Sequence, residues 1–170
     1  MNEAPFLIDQ NGDWYYQKSK ITRHSMVKLF STILVRDENN TFHLRTPVED
    51  VLVKVIDAPY IIKEMHLERN DNFSYIYFKT NVDYEFMLSK NNPIWLEQKY
   101  NSNELLPYVL VKKGLIAKLS RTIYYQLVDL LVVKKIKNIS HYGICSGKDF
   151  FIFDEPALRE RYLNLDYNFE

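Results

Sequence analysis

The sequence holds one cysteine and four glycines among its 170 residues, and each scarcity removes a class of answer. A single thiol cannot build an internal disulfide framework, so the fold has to be held by its core. Four glycines leave little material for a glycine-rich phosphate loop. Neither charge predominates: 22 Lys and Arg stand against 22 Asp and Glu, so no global field draws the chain toward nucleic acid or an acidic membrane. No stretch approaches the roughly 18 uncharged apolar residues that span a bilayer. The greasiest run, Leu127 to Val133, is interrupted by Asp129 and ends at Lys134. The opening MNEAPFLIDQNGDW has no basic segment and no apolar stretch of the export type, which predicts a cytoplasmic chain with a reduced thiol.

What is present is ordinary globular material, 46% apolar and 26% charged, in a chain long enough to bury roughly 70% of its unfolded surface. The aromatic share is high, with 13 Tyr and 10 Phe. The balanced charge is unevenly spread. Residues 107–148 carry eight basic side chains and one acidic, against six and ten over 49–104 and two and six over 149–170. Two readings are open: acidic and basic surfaces pair internally, or an anion-binding face is centred on residues 112–137.

The chain contains a repeat. ITRHSMVKLFSTIL (21–34) and LSRTIYYQLVDLLV (119–132) align without gaps at an offset of 98, matching Arg23 with Arg121 and Leu29 with Leu127. Both have helical apolar spacing, and Thr22 and Ser120 are the expected N-caps, with each arginine at the first helical position. Strand-like residues precede each helix at 14–16 and 108–111 and follow it at 42–44 and 150–153. Between the halves, Val51, Val53 and Val55 alternate, as do Met65 and Leu67; Phe73, Tyr75 and Tyr77 alternate with Ile76 and Phe78. EPALRERYLN predicts a short closing helix. The expected class is α+β, as two repeated halves over residues 1–80 and 81–170, each strand, helix, strands.

Seven motifs fall in order: GDWYY (12–16), ITR (21–23), LRTPVED (44–50), VIDAPY (55–60), TN (80–81), PYVLVKKGLIAKLSRTIYYQLVDL (107–130) and SGKDFFIF (146–153). Over roughly residues 5–155 this series resembles the bacterial domain-of-unknown-function family 1285. The resemblance implies a duplicated core, a C-terminal half superficially like a pleckstrin-homology fold, a binding groove between the halves and a link to signalling. The chain departs from that pattern at Lys18 and Lys20, where the family tends to have Gly and Pro, and at Cys145, where it tends to have Trp.

The repeated arginine is the most informative candidate. A positive charge at a helix start opposes the helix dipole, so helix stability does not explain it. Arg23 and Arg121 either pair with a carboxylate such as Glu49, Asp50 or Asp57, or hold an anion at a helix N-terminus. On the second reading the groove residues are Arg23 and Arg121 for charge, Thr46 and Tyr124 for hydrogen bonds, and Glu49 to orient an arginine. GICSG (143–147) has the spacing of a cysteine nucleophile elbow, but the strand-like KDFFIFD after it favours a hairpin. His24, His43, His66 and His141 show no metal-ligand spacing, so no metal or other cofactor is expected. Lys112, Lys113, Lys118 and Arg121 with Tyr124 and Tyr125 could form a single-strand platform, though zero net charge disfavours nucleic acid as a partner. The leading function is a non-catalytic module taking a small anionic ligand or peptide between the halves. The alternatives are a hydrolase of a phosphorylated or acyl substrate, for which no nucleophile–base set stands out, and a protein–protein scaffold.

Overall fold

The computed structural model describes residues 3–164. β1 (Phe6–Ile8), β2 (Trp14–Tyr16) and β3 (Ser19–Lys20) form an antiparallel meander and lead into α1 (His24–Thr32). A second meander, β4 (Leu34–Arg36), β5 (Phe42–Arg45) and β6 (Asp50–Val55), lays β6 parallel to β1 and completes a six-stranded sheet of order β3-β2-β1-β6-β5-β4. The chain then changes sheets. The long hairpin of β7 (Tyr60–Asn70) and β8 (Phe73–Thr80), with β9 (Glu85–Met87), joins β10 (Ile94–Gln98), β11 (Leu105–Lys112) and β12 (Leu115–Leu119) in the order β10-β11-β12-β7-β8-β9. Here too the closing contact is parallel, β12 to β7. α2 (Arg121–Val128), the three-stranded sheet of β13 (Val132–Ile136), β14 (Ile139–Ser146) and β15 (Asp149–Ile152), and the short α3 (Glu160–Leu163) follow.

The duplication is therefore meander, helix, meander, built twice in an α+β fold, with β7, β8 and β9 placed between the copies. Thr80 ends β8, and Asn81 begins the turn that leads to β9. Both halves feed one core: Ile8 and Trp14 of the first sheet, Ile62 and Phe78 of the second, Leu127 of α2 and Ile144 of β14 belong to a single buried cluster. A smaller cluster of Ala58, Trp95, Tyr108, Leu110 and Ile116 is built on β10, β11 and β12.

β8 shows the expected alternation, with Ile76, Phe78 and Thr80 buried and Phe73, Tyr75 and Tyr77 half-buried. β7 departs from it: Met65 is half-buried, but Leu67 is 49% exposed, because this strand of 11 residues runs on past the core. The helix starts also differ. Ser120 caps α2 as expected, its Oγ accepting the Ile123 amide at 3.4 Å. Thr22 does not cap α1; Arg23 is extended at φ −77° and ψ 109°, and its carbonyl accepts the Met26 and Val27 amides at 3.1 and 3.2 Å. Arg23 is thus the cap residue of α1, one position before the helix, while Arg121 is the first helical residue of α2. GICSG resolves as strand, turn, strand, with Gly147 at φ +60° in the β14–β15 turn, and Cys145 lies within β14. Among the described residues no helix is long and apolar enough to cross a membrane.

Candidate binding site between the two halves

The β1–β2 turn is folded by Asp9, whose Oδ1 accepts the Asn11 and Asp13 amides, each at 2.9 Å. Asn81 fastens that turn to the second sheet: its Nδ2 donates to the Gly12 carbonyl at 3.2 Å and its Oδ1 accepts the Ile61 amide at 3.1 Å. A Cβ at Gly12, which sits at φ +80°, would lie 2.6 Å from Ile61 Cγ1, so the close approach depends on glycine there.

This seam carries a cavity of about 680 Å³. Gln10 and Asn11 line it from the β1–β2 turn of the first sheet; Lys63 and Lys118 line it from the second sheet, and Arg121 and Tyr124 from α2. Its electrostatics are cationic. At the rim Lys99 is offset by Glu104 at 3.8 Å, and Lys118 reaches Asp57 at 4.0 Å. Lys63 and Arg121 have no ion-pair partner among the described residues, and both are exposed. The Tyr124 ring packs edge-on against Phe153 at 6.0 Å, and burial raises its hydroxyl's pKa above the ordinary tyrosine value, at which the group is already a neutral hydrogen-bond donor at pH 7.

The five residues singled out from sequence are distributed among three places. Arg121 and Tyr124 share the cavity just described. Arg23 lines a different one, of about 480 Å³, with Phe6, Tyr16, Met26 and Phe30. Thr46 and Glu49 close the β5–β6 turn on each other: the Glu49 amide donates to Thr46 Oγ1 at 3.0 Å, and the Thr46 amide to the Glu49 carbonyl at 2.8 Å. The carboxylates considered as arginine partners are engaged elsewhere or exposed. Asp50 takes Arg45 at 2.8 Å and His43 at 2.6 Å, Asp57 takes Arg159 at 2.9 Å, and Glu49 is exposed. Neither repeated arginine has an ion-pair partner among the described residues. Gln10, Asn11 and Lys63 were not legible as site residues, since only the Asn81 stitch and the β12–β7 pairing bring them to α2.

Histidine–carboxylate pairs recur outside the cavity. His43 is held between Asp37 at 3.0 Å and Asp50 at 2.6 Å, His24 meets Asp83 at 2.8 Å, and His141 meets Asp154 at 3.1 Å. His141, Asp154 and Glu155 bring donor atoms within 4.8 Å of one another, a grouping that spacing did not announce. Asp154 is satisfied inside the protein, its second oxygen accepting the Tyr142 amide at 2.7 Å. All four aspartates are held below the usual carboxylate range: Asp37 by the Thr41 hydroxyl and amide, Asp50 by Arg45 and then His43, Asp83 by His24. For Asp154 burial pushes upward, but the Tyr142 amide and His141 together outweigh it. A depressed carboxylate pKa contributes stability that is present above the unfolded value and lost as pH falls through the folded one. The urea midpoint should therefore decline as pH drops below about 4, and Asp37→Asn should flatten that decline. An unchanged profile in the variant would exclude Asp37 as a source.

The fold and this cleft define a duplicated α+β protein with a cationic cavity at the seam of its halves. Residues 1–58 match the model described as "Domain of unknown function (DUF1285), N-terminal domain", and residues 59–153 match "Protein of unknown function (DUF1285), C-terminal domain". The chain belongs to the DUF1285 family. It is similar to the crystal structure of a DUF1285 family protein from Silicibacter pomeroyi, with a TM-score of 0.79 at 34% identity over 88% of this chain and 79% of that one. It is also similar to a DUF1285 family protein from Shewanella baltica, with a TM-score of 0.59 at 28% identity over 74% of this chain and 91% of that one. None of the curated proteins matches it.

Proposed function

We propose that the chain is a non-catalytic binding module that takes a small anionic ligand in the cavity between its halves. The observation that carries this reading is Arg121: an exposed guanidinium without an ion-pair partner among the described residues, in a cavity shared with Lys63, Lys118 and the Tyr124 hydroxyl. Guanidinium and ammonium donors converging on one concavity suit phosphate or carboxylate oxygens, and the tyrosine supplies a neutral donor beside them. Glu104 is the acidic residue lining the cavity, and Lys99 already offsets it. Occupancy at a seam biases how the two halves pack, which suits a regulatory role in signalling. The reading makes no use of the Cys145 thiol, which lies in β14 opposite Phe150.

A thermal-shift series with inorganic phosphate, AMP and a phosphoserine peptide tests the reading. At least one should raise the melting temperature, since a ligand at 100 times its Kd adds about 2.7 kcal/mol by mass action. Arg121→Leu should remove most of that shift without lowering the ligand-free melting temperature by more than about 2 °C. No shift with any of the three, or an equal shift in the variant, overturns the proposal. Turnover of a generic phosphoester would favour the hydrolase instead.

A further inference from the structure

The duplication reaches the lining of the two cavities. Lys20, Ile21, Thr22, Arg23 and Met26 line the first; 98 residues on, Lys118, Leu119, Ser120, Arg121 and Tyr124 line the second. Each copy presents lysine, an aliphatic residue, a hydroxyl residue and arginine in succession, followed by a larger side chain one turn into the helix. The basic pair is kept while the surroundings differ. Around Arg121 the partners are Gln10, Asn11 and Lys63; around Arg23 they are Phe6, Tyr16 and Phe30, with Met26 in place of Tyr124.

We propose that the Arg23 cavity is a second ligand site, which takes a small amphipathic anion: an aryl or alkyl body bearing one carboxylate or phosphate. Its aromatic wall is built. Phe6 packs on Tyr16 at 4.8 Å and on Phe30 at 5.2 Å, so the wall is fixed before any ligand arrives. The charge at its mouth belongs to Arg23, since Lys20 is already offset by Asp13 at 3.6 Å and Arg23 has no ion-pair partner among the described residues. An apolar body covers the wall and a single anionic head meets the guanidinium, so charge and apolar area select the same molecule. Inorganic phosphate offers nothing to the aromatic wall, which separates this site from the cleft at Arg121. Behind the wall lies Trp14, 6.4 Å from Phe6 and stacked at 6.2 Å on Phe30, with its Nε1–H lacking an acceptor among the described residues. Its fluorescence is a local reporter, and Trp95 lies in the other hydrophobic cluster.

The probe is 4-phenylbutyrate, titrated calorimetrically into the full chain and followed by fluorescence in a Trp95→Phe background, with 4-phenylbutanol and inorganic phosphate as controls. Phenylbutyrate should bind saturably and change Trp14 emission. Arg23→Leu should weaken the Trp14 response about tenfold, as should replacing the carboxylate by the alcohol. Met26→Glu, which sets a repelling charge at the mouth, should weaken it independently. Binding of the alcohol as tight as the acid, equal binding in the Arg23 and Met26 variants, or no saturable binding overturns the second site. Because phosphate and Arg121→Leu read the cleft alone, failure here leaves the result at Arg121 separate.

Discussion

Replacing Arg159 with leucine should lower the melting temperature by about 10 °C, which corresponds to about 3 kcal/mol in a domain this size. The guanidinium is the hub of the C-terminal strap. Nε donates to both Glu97 carboxylate oxygens at 3.0 Å, Nη2 reaches Glu97 at 2.6 Å and Asp57 Oδ1 at 2.9 Å, and Nη1 donates to the Asp57 carbonyl at 3.0 Å. It also lies over the Tyr108 ring at 4.9 Å, and the Tyr108 hydroxyl donates to the other Asp57 oxygen at 2.7 Å. Burial pushes the Arg159 pKa down, but the bonds to Glu97 and Asp57 outweigh it and raise the value. The three side chains are 24%, 17% and 23% exposed, so this is not a solvated surface pair, whose loss would cost 1 kcal/mol at most. Leucine keeps much of the volume but leaves Glu97 without a cation among the described residues and Asp57 with Lys118 alone at 4.0 Å, which is where the cost arises.

The loss should extend beyond the pair. The strap covers the free edge of β10: the Ala157 amide donates to the Leu96 carbonyl at 2.7 Å, and Tyr162 stacks on Trp95 at 4.1 Å. Without Arg159, amide exchange at Ala157 should accelerate and the uncovered edge should promote association. A second replacement, Glu97→Gln, should recover part of the lost stability by removing the charge left without a cation. A melting temperature within about 2 °C of the parent, or no recovery in the double variant, would place the cluster among solvated surface pairs.

Arg159 also marks where sequence reading stops. Its partners lie 102 and 62 residues away, joined by topology and not by any spacing. Local periodicity made the two helices, the β8 alternation and the Ser120 cap legible, because a helix or strand states its period within a few residues. The two parallel closures, β6 on β1 and β12 on β7, leave no such local mark. Those closures, with the Asn81 stitch, gather the Arg121 cavity from segments around residues 10, 63, 118 and 124. The paired arginines were legible as a repeat, but their separation into a cationic cavity and an aromatic one depends on what faces them across those closures. Cap choice failed for a subtler reason: threonine is the better intrinsic cap, but β3 and the extended Arg23 deliver the chain to α1 one residue later.

Gly143→Ala should cost about as much as the loss of Arg159, at about 3 kcal/mol, through overpacking instead of charge. Gly143 is buried in β14 opposite Ile152 of β15. A Cβ there would lie 2.3 Å from Phe150 Cζ and 2.4 Å from the Phe151 carbonyl oxygen. The ring could swing aside at the expense of its contact with the Lys134 ammonium, now 5.3 Å from its centroid. The carbonyl cannot, because Phe151 is paired with Ile144, which is fully buried. Alanine therefore has to open the β14–β15 ladder. Phe150→Leu in the same chain should restore only a minor part of the stability, since it relieves the ring and leaves the backbone clash. The damage should also reach the cavity at Arg121: Phe153 continues from β15 and supports the Tyr124 ring, so the alanine variant should bind phosphate more weakly even where it remains folded. Melting temperatures of the alanine, leucine and double variants decide the point. Full rescue by Phe150→Leu would mean that the ring alone requires glycine at position 143, and a near-neutral alanine would mean that the ladder there is loose enough to take a methyl group.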